Sequence, residues 1–125
     1  MIQQEGPGWR LSRDPSRQAF PVLIGGEHWA IELTEIEWQC LASLICDLTK
    51  QHQQLFSQLM EDEAVCLEME RQSWWACIDG DKQAWTLQVV LQGDGEQRRG
   101  AEGHWSIPAA QAMAAAMRTA WDSCQ

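Results

Sequence analysis

Long apolar runs and a secretory leader are missing from this sequence. Its apolar stretches, such as residues 20–24 and 89–91, are short, whereas a membrane-spanning helix needs about 20 consecutive apolar residues. The N-terminal residues have neither the basic start nor the apolar core of a signal peptide. These absences predict a protein that does not enter membranes and stays in the cytoplasm.

Cysteines at metal-binding spacing are missing as well. The chain has 5 cysteines, an odd number that, without an export signal, favours reduced thiols over a disulfide framework. No Cys-x-x-Cys pair occurs, and the 3 histidines lie far from any cluster of cysteines in the sequence. Zinc sites typically contain cysteines and histidines at such close spacings, and this sequence lacks them. We therefore expect no metal, no other cofactor, and cysteines that serve as small core residues.

Basic residues are scarce, with 9 lysines and arginines against 18 acidic residues and a net charge of −9. The arginines are unevenly placed: Arg10, Arg13 and Arg17 lie close together, and Arg98 and Arg99 lie in a long loop. Grouped arginines can bind phosphates, but the net negative charge repels a polyanion. The net charge therefore disfavours nucleic acid as a partner but does not exclude it.

Motifs for catalysis are not found. Carboxylates cluster at residues 61–63, Glu68 and Glu70, in an acidic turn and just after it. Two carboxyl groups can act as acid and base only where a pocket separates their pKa values, and an exposed acidic turn does not provide such a pocket. His28 and His104 have no serine or cysteine nucleophile motif nearby, so structural hydrogen bonds are the expected role. We predict that the protein is not an enzyme.

An internal repeat organises the chain. The pattern His-Trp-small-Ile occurs at residues 28–31 and again at 104–107, each time after a glycine-containing turn and just before a helical pattern. At 125 residues with 45% hydrophobic content, the composition is that of one globular domain. The repeat predicts that this domain consists of two related units, about residues 8–60 and 64–122.

The first unit is predicted to contain three strands and a helix. Apolar and polar residues alternate over residues 9–13 and 28–33, and residues 20–24 form a further strand. Thr34 and Glu37 match the capping box that begins a helix. Apolar residues then repeat at helical spacing as far as about Met60, which leaves open whether one continuous helix spans this distance.

The second unit repeats this plan. Alternation predicts strands at residues 65–70, 74–78, 85–91 and 102–106, and Pro108 precedes an alanine-rich helix over 109–122. Tight turns between successive strands favour antiparallel sheets and leave little room for parallel crossovers. The predicted fold is α+β, with two antiparallel meanders packed with two helices.

Tryptophan is unusually frequent, with 8 residues in the chain. Trp9, Trp29, Trp85 and Trp105 share strand faces with aliphatic residues and are expected in the core. Trp74 and Trp75 are adjacent on a strand and therefore point to opposite faces. An exposed indole at Trp75 is a candidate surface for stacking unpaired bases or for contacting a protein.

Tryptophan recurs at distinctive places in residues 6–11, 29–34 and 74–75 and at Trp121, which is preceded by residues 116–118, and residues 20–26 form a further distinctive stretch. These stretches resemble a family of small uncharacterised proteins found chiefly in cyanobacteria and classed as a domain of unknown function. The resemblance covers nearly the whole chain. It implies an architecture similar to that of Whirly-type regulators, which bind single-stranded DNA. Through that likeness it implies a pseudo-symmetric pair of meander-plus-helix units that oligomerises.

These observations favour a non-enzymatic interaction or oligomerisation module with a second copy or another protein as partner. The alternative is a single-stranded nucleic-acid binder. The same set of residues supplies the candidate contacts to nucleic acid or to a protein partner. These residues are Arg10, Arg13, Arg17, Trp75, Arg98 and Arg99.

Overall fold

In the part of the chain that the structure describes, eight strands and two helices form two four-stranded antiparallel sheets with the helices packed against them. The computed structural model describes residues 1–93 and 99–123. The first half contains β1 Ile2–Gly6, β2 Trp9–Arg13, β3 Val22–Gly26, β4 Ala30–Leu33 and α1 Glu35–Gln54. The second half contains β5 Val65–Arg71, β6 Trp74–Gly80, β7 Trp85–Leu91, β8 Ala101–Trp105 and α2 Ala109–Ser123. The predicted α+β fold is confirmed.

The first sheet has a strand that the sequence analysis did not predict. β1 pairs antiparallel with β2, so that Ile2 lies opposite Arg13 and Gly6 lies opposite Trp9. Pro7 and Gly8 make the connecting turn, and Gly8 has φ of 79°, the value that glycine readily adopts at the third position of a type II turn. β1 was missed because its inward positions hold only one large apolar side chain. The two units thus share the same order of four strands and one helix.

Helix α1 begins at the predicted cap and ends before Met60. The Glu37 backbone N–H donates to Thr34 Oγ1 at 3.1 Å, and the Thr34 N–H donates to Glu37 Oε1 at 2.9 Å. The helix ends at Gln54, and the Leu55 N–H bonds back to carbonyls of the last turn. The last buried residue of α1 is His52, so the following residues lack a packed face to hold them helical. No helix in the described part of the chain is long and apolar enough to cross a membrane.

Each helix reaches the sheet of the other unit. α1 packs chiefly on β5 and β6, while α2 packs on β1 and β2 as well as on β7. The core between them holds Trp38, Trp74 and Trp105 among its largest fully buried side chains. Because the helices are exchanged in this way, neither unit covers its own sheet unaided, and the two units form one core.

His52 is the one charged or polar residue fully buried among the described residues, with 2% exposure. Its ring makes edge contacts with Trp85 at 5.6 Å and Phe56 at 5.2 Å, and its Nε2 has no hydrogen-bond partner. Burial lowers the pKa of His52 from its ordinary value of 6.5, and the backbone and charge of Asp81 oppose this only in part. The imidazole is therefore neutral in the folded protein at neutral pH.

Stability is expected to fall as the pH drops below about 6.5. In that range the unfolded chain takes up a proton at His52 that the folded chain does not, so the free energy of unfolding decreases by up to about 1.4 kcal/mol per pH unit. Urea unfolding at several pH values between about 7.5 and 5.5 measures this slope. His52→Leu should flatten the slope, and Gln51→Leu, at an exposed position next to His52, should leave it unchanged. An equal slope in all three proteins would contradict the assignment to His52.

Candidate functional site

The repeated His-Trp motif lies where the two sheets meet. The Trp29 and Trp105 rings pack with centroids 4.9 Å apart and planes tilted by 58°. Trp29 Nε1 donates to the backbone carbonyl of His104 at 3.1 Å, and Trp105 Nε1 donates to that of Gly25 at 2.8 Å. Each unit therefore supplies an indole that bonds the backbone of the other. The motif identified from the sequence joins the two units.

Two glycines make room for the Trp29 ring at this junction. A Cβ placed on Gly26 would lie 2.2 Å from Trp29 Nε1, and a Cβ on Gly103 would lie 2.2 Å from Trp29 Cη2. Real Cβ atoms do not approach other atoms so closely. Glycine is therefore required at both positions by the packing of one indole.

Two adjoining clefts open beside the junction, with volumes of about 460 and 490 Å³. Both are lined by Gly8, Glu27, His28 and Trp29. The first continues along β8 to His104, and the second continues along β2 to Trp9 and Arg10. Glu27, His28 and His104 are exposed to solvent.

Three of the predicted arginines lie around the start of α1, where carboxylates pair with them. Arg13 forms an ion pair with Glu35, and Arg17 Nη2 lies 3.2 Å from Glu32 Oε1. Arg99 forms an ion pair with Glu37, donates to the Glu32 carbonyl, and stacks on the Phe20 ring at 4.7 Å from its centroid. These contacts tie Arg99, two residues before β8, to the first unit. Each of the three guanidinium groups is thus paired with a carboxylate.

The other predicted contact residues lie elsewhere. Arg10 is exposed on the outer face of the first sheet, opposite Glu5 and Gly25. Trp75 is half-buried on the outer face of the second sheet, and Arg98 lies outside the described residues. The described members of the set therefore do not form one basic and aromatic surface. Binding of single-stranded nucleic acid stays a prediction.

An apolar groove lies between the first turns of α1 and the β5–β6 turn. It has a volume of about 320 Å³ and is lined by Ile36, Glu37, Cys40, Gln72, Ser73 and Trp74. Trp74 is buried, and its Nε1 donates to the Glu37 carbonyl at 3.0 Å, which fixes the indole against the helix. Ile36 stands at the edge of the groove with 75% of its surface exposed. We call these six residues the Ile36 groove.

Comparison with known proteins assigns the family. A family model described as a domain of unknown function (DUF1818) matches residues 4–120. The chain belongs to the DUF1818 family. This DUF1818 chain is also similar to a crystal structure described as a protein of unknown function from the DUF155 family of Prochlorococcus sp. NATL2A, a cyanobacterium. The two chains are 44% identical, with a TM-score of 0.89, over 97% of this chain and 99% of the other. No curated protein matches the chain.

Sequence reasoning did not find the Ile36 groove of this DUF1818 protein. The helical spacing of Ile36 with Cys40 and Leu44 predicts that Ile36 lies on the buried face of the helix. In the folded chain Leu44 is buried, whereas Ile36 is exposed. Spacing along a helix shows that one face is buried but not which positions of that face a neighbouring element covers, so the sequence carries no signal that separates Ile36 from Leu44.

Proposed function

We propose that this DUF1818 protein is a non-enzymatic interaction module that associates with protein, in the first place with a second copy of itself, through the Ile36 groove. The observation that carries the proposal is the exposure of Ile36, at 75%, beside an apolar groove of about 320 Å³. An exposed apolar side chain beside an apolar cavity supplies an anchor and a pocket, the two parts from which the centre of a protein interface is built.

The Ile36 groove has the arrangement that a two-fold interface needs. In such an interface the same patch contacts itself, so a projecting side chain on one copy must meet a cavity on the other. Ile36 projects, and the adjacent cavity against Trp74 and Cys40 is apolar enough to receive it. A groove of this size buries little area, so we expect a weak association rather than an obligate dimer.

The non-enzymatic part of the proposal is supported by the clefts at the sheet junction. Their titratable side chains are exposed, and an open, hydrated cleft does not provide the low-dielectric surroundings in which charge stabilisation is strong. We place the protein in the cytoplasm, where thiols remain reduced. The order of four strands and one helix, twice, supports the proposed Whirly-like architecture, but the paired arginines do not extend that likeness to DNA binding.

Replacing Ile36 by glutamate should abolish self-association without unfolding the chain. The side chain is exposed, so its loss costs little core packing, while a carboxylate at the groove cannot enter the apolar cavity of a second copy. Sedimentation equilibrium over a range of protein concentrations measures the association. We expect the native chain to show a reversible monomer–dimer equilibrium and Ile36→Glu to remain monomeric.

The control variant is Gln51→Glu, which adds the same charge at an exposed position near the other end of α1. It should associate like the native chain. A native chain that is monomeric at every concentration, or an Ile36→Glu chain that dimerises as well as Gln51→Glu, would contradict the proposed interface.

A further inference from the structure

Two cysteines and a glutamate converge on the outer face of the second sheet. Glu68 of β5 lies directly opposite Cys77 of β6, and Cys66 lies opposite the next outward residue of β6, Asp79. The Cys66 and Cys77 sulfur atoms are 3.1 Å apart. One ligand atom from each of Cys66, Glu68 and Cys77 lies within 4.8 Å of the other two. The three side chains thus present two sulfurs and a carboxylate to one point.

The pairing register does not favour a disulfide between the two thiols. Cys66 and Cys77 are diagonal neighbours, because their direct partners are Asp79 and Glu68. Diagonal Cα atoms in antiparallel sheets are generally about 7–8 Å apart, whereas disulfides join Cα atoms about 4.4–6.8 Å apart. Both cysteines are free thiols in the structure. A metal ion bound between the two sulfurs can join Cα atoms that are too far apart for a disulfide, because the sulfur–metal–sulfur bridge is longer than a sulfur–sulfur bond.

The ligand set suits a thiophilic divalent cation. Zinc binds thiolate sulfur at about 2.3 Å and carboxylate oxygen at about 2.0–2.2 Å, with tetrahedral geometry. Two sulfurs on such an ion lie about 3.8 Å apart, so the thiols need to separate by less than 1 Å, on the order of one small side-chain rotation. Cys66 and Glu68 are exposed and Cys77 is buried, so one side of the site remains open for a water molecule.

The charges around the site favour a cation. Burial, then the hydrogen bond with Cys66 and its charge, and then the charges of the nearby Asp79 and Glu68 carboxylates together raise the pKa of the Cys77 thiol to about 12. Without a cation the thiol therefore stays protonated. The same carboxylates attract a divalent ion, whose charge then stabilises the thiolates.

We propose that Cys66, Glu68 and Cys77 form a binding site for a thiophilic divalent cation, Zn²⁺, held by two thiolates, one carboxylate and water. Binding breaks two S–H bonds, releases both protons to solvent, and forms two zinc–sulfur bonds with no change in oxidation state. The ion joins the edge strand β5 to β6. The site is independent of the Ile36 groove, so failure of either proposal leaves the other standing.

Cobalt is the probe for this site, because Co²⁺ takes the same ligands and reports them optically. Adding Co²⁺ to the reduced, metal-free protein should produce a thiolate-to-cobalt charge-transfer band and the visible bands of tetrahedral Co²⁺. One equivalent of Zn²⁺ should displace the cobalt. Affinity should rise with pH, since two protons are released.

Variants distinguish the site from chance binding elsewhere. Cys66→Ser, at an exposed position that folding does not require, should abolish the charge-transfer band. Glu68→Gln should weaken cobalt binding by about tenfold or more, because the charge of the ligand set falls. Cys46→Ser, which removes a cysteine of α1, should bind as the native chain does. Circular dichroism establishes that each variant is folded.

Three results would overturn the proposal. The first is a native chain that gives no thiolate band with Co²⁺, and the second is a Cys66→Ser chain that gives the same band as the native protein. The third is a purified chain, kept without reductant, whose mass is lower by two hydrogens and whose Cys66 and Cys77 peptides are cross-linked. That outcome would make the pair a disulfide.

Discussion

Replacing Trp105 by alanine is expected to lower the free energy of unfolding by about 4 kcal/mol. The side chain is 1% exposed, so its removal leaves a large cavity where the two units meet. The Gly25 carbonyl loses the indole N–H that bonds it at 2.8 Å, and an unpartnered buried carbonyl adds to the cost. Trp29 also loses the ring on which it packs. Urea unfolding followed by circular dichroism measures the change.

Two further tryptophan variants separate these causes. Trp105→Phe keeps most of the ring volume and removes the donor, so it should cost about 1–3 kcal/mol. Trp75→Ala removes an indole that is half-buried on the outer face of the second sheet, and should cost about 1 kcal/mol. If Trp105→Ala costs no more than Trp75→Ala, the contact between the units does not hold the fold together.

The sequence predicts the strands of the second unit well because their alternation is strong. β7 buries Trp85, Leu87, Val89 and Leu91 in strict alternation with less buried residues, and every one of these positions follows from the period of two. β1 lacks this signal, since it places only Ile2 as a large apolar residue on its inward face. Its position comes from pairing with β2, which the turn at Gly8 imposes.

The exchange of helices between the units was beyond sequence reasoning for a different reason. An apolar stripe on a helix indicates that one face is buried, but it does not indicate which sheet covers that face. α1 follows β4 directly and nevertheless packs chiefly on β5 and β6. The choice depends on how the two units dock, and docking is decided by contacts such as that between Trp29 and Trp105.

The candidate contacts were predicted less well than the fold because charge partners distant in sequence decide their roles. Arg99 pairs with Glu37, 62 residues away, and Arg13 pairs with Glu35, 22 residues away. Each arginine was identified by its spacing from other arginines, which carries no information on these glutamates. The cysteine pair was missed likewise, since Cys66 and Cys77 are 11 residues apart and only the β5–β6 register brings them together.

Replacing Gly103 by alanine is expected to destabilise the protein by about 2–3 kcal/mol, although it adds a single methyl group. The new Cβ would lie 2.2, 2.5 and 2.6 Å from three carbons of the Trp29 ring. That ring cannot simply move away, because its Nε1 bonds the His104 carbonyl and its face packs on Trp105. Either the hydrogen bond or the packing at the junction must be disrupted.

The matched control is Gly100→Ala, where the nearest atom to the new Cβ is the Leu91 carbonyl oxygen at 3.8 Å. This variant should change the free energy of unfolding by less than about 0.5 kcal/mol. A double-mutant cycle with Trp29→Ala then identifies the cause. If the clash with the indole is responsible, Gly103→Ala should cost little in the Trp29→Ala background, which corresponds to a coupling energy of about 2 kcal/mol. Additive costs in the cycle would show instead that Gly103 is required by its own backbone, and that the indole of Trp29 is not what excludes a side chain there.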